Sequence, residues 1–143
     1  MTPRTLAASM DASFTGTYEL TLSQQPLPRL PWIDTLAADV SKLKFAAIIG
    51  ANVHLLRAQA QWNHTSGYHS IVTPAQSEVS AFDVVNLFFS YDMSGGGIRQ
   101  GLQLTLNVNN VLDRDPPTLK AGVGYANGSS VGRLVQLGIN KKF

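Results

Sequence analysis

The side chains of this chain that are suited to metal binding are three histidines and a few aspartates. His64 and His69 are five positions apart with no carboxylate between them, and neither they nor His54 show the spacing of a zinc or haem site. Asp113 and Asp115 begin like a calcium loop, but the glycine and the distal glutamate of an EF-hand are missing. We interpret the histidines as polar loop residues and the aspartates as part of a turn, and we expect no metal and no cofactor.

Catalytic and phosphate-binding patterns are also missing from the sequence. Gly95-Gly96-Gly97 is not followed by the Lys-Ser/Thr pair of a phosphate-binding loop, so we interpret it as a turn. Serine, histidine and aspartate occur, but no G-x-S-x-G elbow or similar setting marks a nucleophile. We therefore predict that the protein is not an enzyme.

Composition excludes several classes of protein. Only 14% of the 143 residues are charged, against about 25% in an average soluble domain. The longest apolar run, residues 45–49, is far shorter than the roughly 18 residues of a membrane helix. A net charge of +2 without a basic run longer than Lys141-Lys142 gives no reason to expect a nucleic-acid partner. There is no cysteine, which excludes disulfides and thiolate chemistry.

Six segments alternate apolar and polar residues with a period of two, which is typical of β-strands. The clearest is 102–109, where leucine and valine occupy one face and glutamine, threonine and asparagine the other. The remaining segments are 14–23, 42–51, 56–63, 84–91 and 133–143. The sequence therefore predicts an all-β fold.

Long connections alternate with shorter ones between these segments. Residues 24–41, 65–80 and 113–131 form the long connections, and 52–55 and 92–101 form the shorter ones. In an antiparallel up-and-down sheet the long loops then share one end, as in transmembrane β-barrels, whose strands cross with about 9–11 residues. A soluble β-sandwich or lipocalin-like barrel gives the same alternation with its apolar residues inward, so alternation alone leaves both readings open.

The C-terminal forty or so residues carry a series of motifs. They include LTLNVNNVLDRDPP, a Gly-Tyr pair, a Gly-Arg pair and a final alternating segment that ends in Phe143. This series resembles the C-terminal end of TonB-dependent outer-membrane receptors, with Val111-Leu112 departing mildly from the usual Leu-Phe. Weaker matches extend the resemblance to about residue 14. The positions that match the family motif are Asn110, Asp113, Pro116, Pro117, Gly132 and Arg133.

The resemblance implies that residues 1–143 are the C-terminal part of a receptor β-barrel whose plug domain is absent from this chain. The implied fold is an antiparallel, up-and-down transmembrane barrel fragment with about six of 22 strands. The implied function is a part in TonB-dependent uptake of a scarce ligand (a siderophore, cobalamin, haem or a glycan) at the cell outer membrane. Implied partners are outer-membrane lipid, the rest of the barrel and plug, the TonB complex through the plug, and the barrel assembly machinery.

The resemblance also implies roles for particular residues. Four match the terminal signal read by the barrel assembly machinery: Val135, Leu137, Ile139 and Phe143. Lys141 departs from that signal, since an apolar or aromatic residue is commoner there. Four residues of the long connections are candidates to face a ligand: Tyr68, His69, Tyr125 and Asn127.

Aromatic residues near strand ends fit the same interpretation. Tyr18, Trp62, Phe89, Tyr91 and Phe143 lie on predicted apolar faces. In a membrane barrel we expect such rings to form belts at headgroup depth, whereas in a soluble fold they would belong to the core.

Two alternatives to an active receptor segment remain, namely a soluble β-sandwich binding module and an inactive receptor remnant. Six strands are fewer than the eight of the smallest common barrel, and an open sheet leaves backbone groups unsatisfied in lipid. We therefore expect that the chain alone neither inserts stably nor transports.

Overall fold

The computed structural model describes residues 8–18, 23–24, 28–29, 33–34, 41–73, 76–118 and 131–142. These residues form strands and turns without an α-helix, which confirms the all-β prediction. The strands are β1 Ala8–Tyr18, β2 Ser23–Gln24, β3 Ile33–Asp34, β4 Leu43–Val53, β5 Leu56–Thr65, β6 Tyr68–Thr73, β7 Gln76–Val79, β8 Phe82–Asp92, β9 Leu102–Asn109 and β10 Leu134–Lys141.

Six of the strands form one antiparallel sheet in the order β1-β4-β5-β8-β9-β10. Each pairs with the next long strand along the chain, which is the up-and-down arrangement expected from the sequence. The small sheets β2-β3 and β6-β7 lie within two of the long connections. Among the described residues the large sheet is open, since β1 and β10 each pair along one edge only.

The connections divide the sheet into two different ends. The three long connections all join strands at the same end of the sheet, which we call the long-loop end. At the opposite, short-turn end, β4 and β5 are joined by two residues, and β8 and β9 by residues 93–101 with a single 3-10 turn at Gly97–Arg99.

The strand register collects the apolar side chains on one face, which we call the apolar face. One row crosses the whole sheet through Met10, Ala51, Ala58, Phe89, Leu106 and Leu137. The neighbouring row points to the other face, the polar face, through Asp11, Gly50, Gln59, Phe88, Asn107 and Gln136. The period of two thus separates two surfaces of opposite character.

The apolar face is not covered by any described part of the chain. Leu137 is 83% exposed and Met10 is 77% exposed, whereas the buried hydrophobic residues among those described are only Val79 and Phe82. Contiguous apolar surface of this extent marks a site of contact with a membrane or another protein. The sheet therefore lacks, within the described residues, the core that a soluble domain builds on one of its faces.

At one position of the connection between β8 and β9, both the backbone conformation and the available space require glycine. Gly101 has a φ of 69°, in the left-handed region, and a Cβ there would lie 2.5 Å from the carbonyl oxygen of Lys142. The same glycine accepts a backbone hydrogen bond from Lys142 at 2.8 Å. Gly96 has a φ of −92° and no atom within 4 Å of a built Cβ, so it is free to change.

We expect Gly101→Ala to lower the free energy of unfolding by about 1–3 kcal/mol, because alanine meets both backbone strain and a backbone clash. Gly96→Ala is the matched control and is expected to leave stability unchanged or slightly raised. Urea unfolding in detergent, followed by circular dichroism, measures both variants. Equal effects of the two substitutions would contradict the turn geometry.

Candidate functional site

Asn110, the first residue of the predicted family motif, closes a tight loop at the end of β9. Its backbone N–H donates to Asn86 Oδ1 at 2.9 Å, and its carboxamide donates to the carbonyl oxygen of Arg114 at 2.8 Å. The same carboxamide accepts from the backbone N–H of Arg114 at 3.0 Å. Asn110 is 7% exposed and has a φ of 51°, a region that asparagine tolerates better than most residues.

Asp113 connects this loop to the start of β10. Its backbone N–H donates to the carbonyl oxygen of Asn110 at 2.9 Å, and its Oδ1 accepts from the backbone N–H of Arg133 at 2.7 Å. The guanidinium of Arg133 lies 3.9 Å from Oδ2 of the same carboxylate. Gly132 is suited to this contact because a Cβ would lie 2.9 Å from Asp113 Oδ1. These four residues, here called the motif cluster, tie β9 to β10.

The other predicted residues are more dispersed. Pro116 is buried and Pro117 half-buried just after the motif cluster. Three residues of the predicted assembly signal lie exposed on the apolar face of β10: Val135, Leu137 and Ile139. Tyr68 and His69 lie in β6, paired with Val79 and Glu78 of β7. Three predicted residues lie outside the described part of the chain: Tyr125, Asn127 and Phe143.

The histidines do not form one site, and the expectation that all three are loop residues was wrong. His64 lies within β5, which extends past the clear alternation in the sequence, and His69 lies within β6, a strand that the alternation did not predict. His54 occupies the two-residue turn at the other end of β5, roughly 30 Å from His64 at strand spacing. Among the described residues no group of three His, Cys, Asp or Glu could hold a metal ion.

His64 instead belongs to an aromatic and acidic cluster near the long-loop end of the apolar face. Asp83 Oδ1 accepts from Trp62 Nε1 at 2.8 Å and lies 2.8 Å from His64 Nδ1. The His64 ring stacks on Phe45 with centroids 4.8 Å apart, and the Trp62 ring meets Phe45 edge-on at 4.9 Å. The guanidinium of Arg114 lies 3.9 Å from the other oxygen of Asp83. Polar and aromatic groups are thus paired at the border of the apolar face.

Arg57 organises charge on the polar face. Its guanidinium donates to Asn52 Oδ1 and to Gln59 Oε1, each at 3.1 Å, and lies 3.4 Å from the carboxylate of Asp11. Gly50 leaves room for that carboxylate, since a Cβ there would lie 2.7 Å from one of its oxygens. The positive charge of Arg57 is therefore already matched within the sheet.

A groove of about 330 Å³ lies next to this network on the polar face. We call it the carboxamide groove, because five of its seven lining residues carry carboxamides: Gln59, Gln61, Asn86, Asn107 and Asn109, beside Leu87 and Phe88. Asn86 and Asn109 also line a recess of about 310 Å³ whose walls are mostly apolar, with Phe82, Val84, Val131 and Leu134 among them. The groove therefore continues toward the long-loop end of the sheet.

Sequence reasoning missed both the carboxamide groove and the cluster at Asp83. The alternation places Gln59 and Gln61, and likewise Asn107 and Asn109, on one face of their own strands. It does not say which strands are neighbours, and the groove exists only because β8 lies between β5 and β9. A signal was present in Phe88, an aromatic residue that lies between Asn86 and Ser90 on the same side of its segment.

Comparison of the chain with protein families, curated proteins and solved structures finds no match. Within the described residues no helix is long and apolar enough to cross a membrane. The resemblance of the C-terminal residues to TonB-dependent receptors accordingly stays a prediction.

We expect Asn110→Ala to lower the free energy of unfolding by about 2–3 kcal/mol, because it removes two hydrogen bonds at a buried, left-handed position. Asn109→Ala is the matched control, since Asn109 is exposed and its carboxamide makes no hydrogen bond with a described residue. Its effect should stay within about 0.5 kcal/mol. Chemical unfolding of both variants in detergent gives the comparison, and a loss of similar size for Asn109→Ala would show that the motif cluster is not what stabilises this corner.

Proposed function

We propose that this chain is a wall segment of a TonB-dependent outer-membrane receptor. In this role it contributes to the uptake of a scarce ligand together with the rest of the barrel and the plug, and it performs no catalysis. The observation that carries the proposal is the open, up-and-down sheet with an exposed apolar face and a carboxamide-rich polar face. Lipid would cover the first face and the wet lumen the second, as in transmembrane barrels generally.

Strand length supports a membrane-spanning role. The six strands of the sheet are 8 to 11 residues long, close to the roughly 9–11 residues that cross a bilayer when tilted. The rings of Phe45 and Trp62 lie near the long-loop end of the apolar face, where an interfacial aromatic belt is expected. The two ends of the apolar face would then meet the headgroups.

The two open edges support a segment rather than a complete wall. An even number of antiparallel strands leaves β1 and β10 running in opposite directions, so an even number of further strands closes the sheet with antiparallel pairing throughout. Closure is needed because lipid offers no hydrogen bonds to an unpaired strand edge. The remainder of a receptor barrel, which has 22 strands in such transporters, would supply those partners.

The motif cluster supports the assignment to this family in particular. Asn110, Asp113, Gly132 and Arg133 match the family motif in sequence, and in the fold Asp113 lies against the other three. Residues that match a motif and also pack together are more specific evidence for a family than alternation is, because soluble β-sandwiches show alternation as well. With the long-loop end outside the cell, Tyr68 and His69 lie on the side from which a ligand arrives. The proposed partners are outer-membrane lipid, the assembly machinery, the rest of the receptor and, through its plug, the TonB complex.

Fluorescent labelling at consecutive positions of β9 tests which face meets lipid. Since the chain has no cysteine, single variants can be labelled with bimane: Leu104→Cys and Leu106→Cys on the apolar face, Gln103→Cys and Asn107→Cys on the polar face. In mixed micelles with a nitroxide-labelled lipid, we expect strong quenching at 104 and 106 and weak quenching at 103 and 107. Aqueous iodide should give the opposite order. Apolar-face probes that neither quencher reaches would instead indicate the core of a soluble sandwich.

Removal of detergent gives an independent prediction. The exposed apolar face should drive the chain into large aggregates, because the described residues do not cover it. Sedimentation before and after detergent removal measures this. A stable monomer in plain buffer would contradict the membrane proposal and favour the soluble binding module.

A further inference from the structure

We propose that the carboxamide groove binds a neutral saccharide, with Phe88 as a platform for one sugar ring. The inference rests on the proposed function only for the direction from which the sugar enters. It concerns residues to which neither the family resemblance nor the strand pattern assigns a role. Each step follows from the side chains that line the groove.

The position of Phe88 is the first observation. Its ring belongs to the polar face, directly between Gln59 on β5 and Asn107 on β9. The other aromatic residue of β8 on this face, Phe82, lies buried at the long-loop end. Neighbouring strands are about 4.8 Å apart, so the two flanking residues stand about 10 Å apart across the ring. That width accommodates one sugar ring with a hydrogen bond on either side.

The free hydrogen-bonding groups around the ring are the second observation. Within the described part of the chain, Gln59 uses its carbonyl oxygen for Arg57 and Asn86 uses its carbonyl oxygen for Asn110, so both keep their NH₂ groups. Gln61 donates to Asn63 at 3.0 Å and keeps its oxygen.

The carboxamides of Asn107 and Asn109 make no hydrogen bond to a described residue. The groove therefore offers donors and acceptors side by side, each a carboxamide end that has no partner among the described residues. A sugar hydroxyl both donates and accepts, which matches this mixture. The apolar C–H face of a pyranose matches the ring of Phe88.

The absence of charge in the lining is the third observation and narrows the ligand class. None of the residues that line the groove is ionisable. The guanidinium of Arg57, which contacts Gln59 of the lining, is engaged by Asp11 and two carboxamides. A ligand that carries carboxylates, such as haem with its propionates, would find no unmatched cation among these lining residues. A neutral glycan, which is one of the ligand classes that the resemblance implies, fits an uncharged lining.

The geometry also favours a sugar over an extended peptide. A peptide pairs best with a strand edge, where backbone groups alternate in register. The carboxamide groove lies on the face of three central strands, whose backbones already pair with one another. The carboxamide groups of the groove surround the ring of Phe88. This arrangement suits a cyclic ligand that carries hydroxyls around its edge.

Binding is tested with the full chain in a zwitterionic detergent that contains no sugar. The probes are neutral linear hexasaccharides of glucose, mannose and xylose, with trigalacturonate and tetraglycine as comparison ligands. Saturation-transfer NMR detects contact, and calorimetry gives the Kd. We expect at least one neutral hexasaccharide to bind, and trigalacturonate and tetraglycine not to.

Variants localise the site. Phe88→Leu and Asn107→Leu should each weaken binding about fivefold to tenfold, the effect of losing one stacking contact or one or two hydrogen bonds. Phe89→Leu, on the apolar face next in sequence, and Asn140→Leu, on β10 away from the groove, are matched controls and should leave the Kd unchanged. Circular dichroism shows whether each variant folds. If Phe88→Leu does not fold, the Kd of Asn107→Leu alone tests the site.

Three results would overturn the proposal: no hexasaccharide binds, the groove variants bind as tightly as the controls, or tetraglycine binds with the same dependence on Phe88. The last result would mean that the groove receives a polypeptide segment. None of them affects the quenching pattern on β9, so failure of saccharide binding and failure of the membrane orientation remain distinguishable.

Discussion

The antiparallel register is the constraint on which the rest of the structure depends. Each of the five strand pairings aligns apolar positions with apolar positions, so a single row can run from Met10 on one edge to Leu137 on the other. A slip by one residue in any pairing would turn one strand over and place its apolar side chains among carboxamides. The exposed apolar face and the carboxamide groove are therefore two consequences of the same register.

Both ends of the sheet are tied by hydrogen bonds to backbone carbonyls and amides. At the long-loop end the motif cluster joins β9 to β10 through Asp113. At the short-turn end Lys141 donates to the carbonyl oxygens of Ile98 and Gln100 in the turn between β8 and β9. An apolar or aromatic residue is usual in the family at the position of Lys141. The contacts give this lysine a local role, because its charged end points away from the apolar row and bonds the carbonyl oxygens of the turn. Polar contacts thus hold both ends of the sheet, and the apolar rows lie between them.

The strands were largely predictable from the sequence because the period of two is a local property. The segment 102–109 coincides with β9, where every position follows the alternation. β1 begins earlier than predicted, at Ala8, because small residues such as Ala8 and Ala12 carry too little hydrophobicity to show the pattern. The hairpin β6-β7 was missed for a different reason: its strands are short and bulged, and they lie inside a polar connection.

The candidate sites were less predictable, because they depend on which strands are neighbours. Asn110 and Asp113 were found through the resemblance, but the bond from Asn110 to Asn86 spans 24 positions and follows from the pairing of β8 with β9. The same holds for Phe88. In sequence it is one of two adjacent phenylalanines. The alternation already assigns Phe89 to the apolar face, but only the register shows that Phe88 lies between two carboxamides. Phe82 and Val84 of the same strand also lie on the polar face, but the ring of Phe88 differs from them because carboxamides flank it on both neighbouring strands. This placement is what the proposed saccharide site depends on.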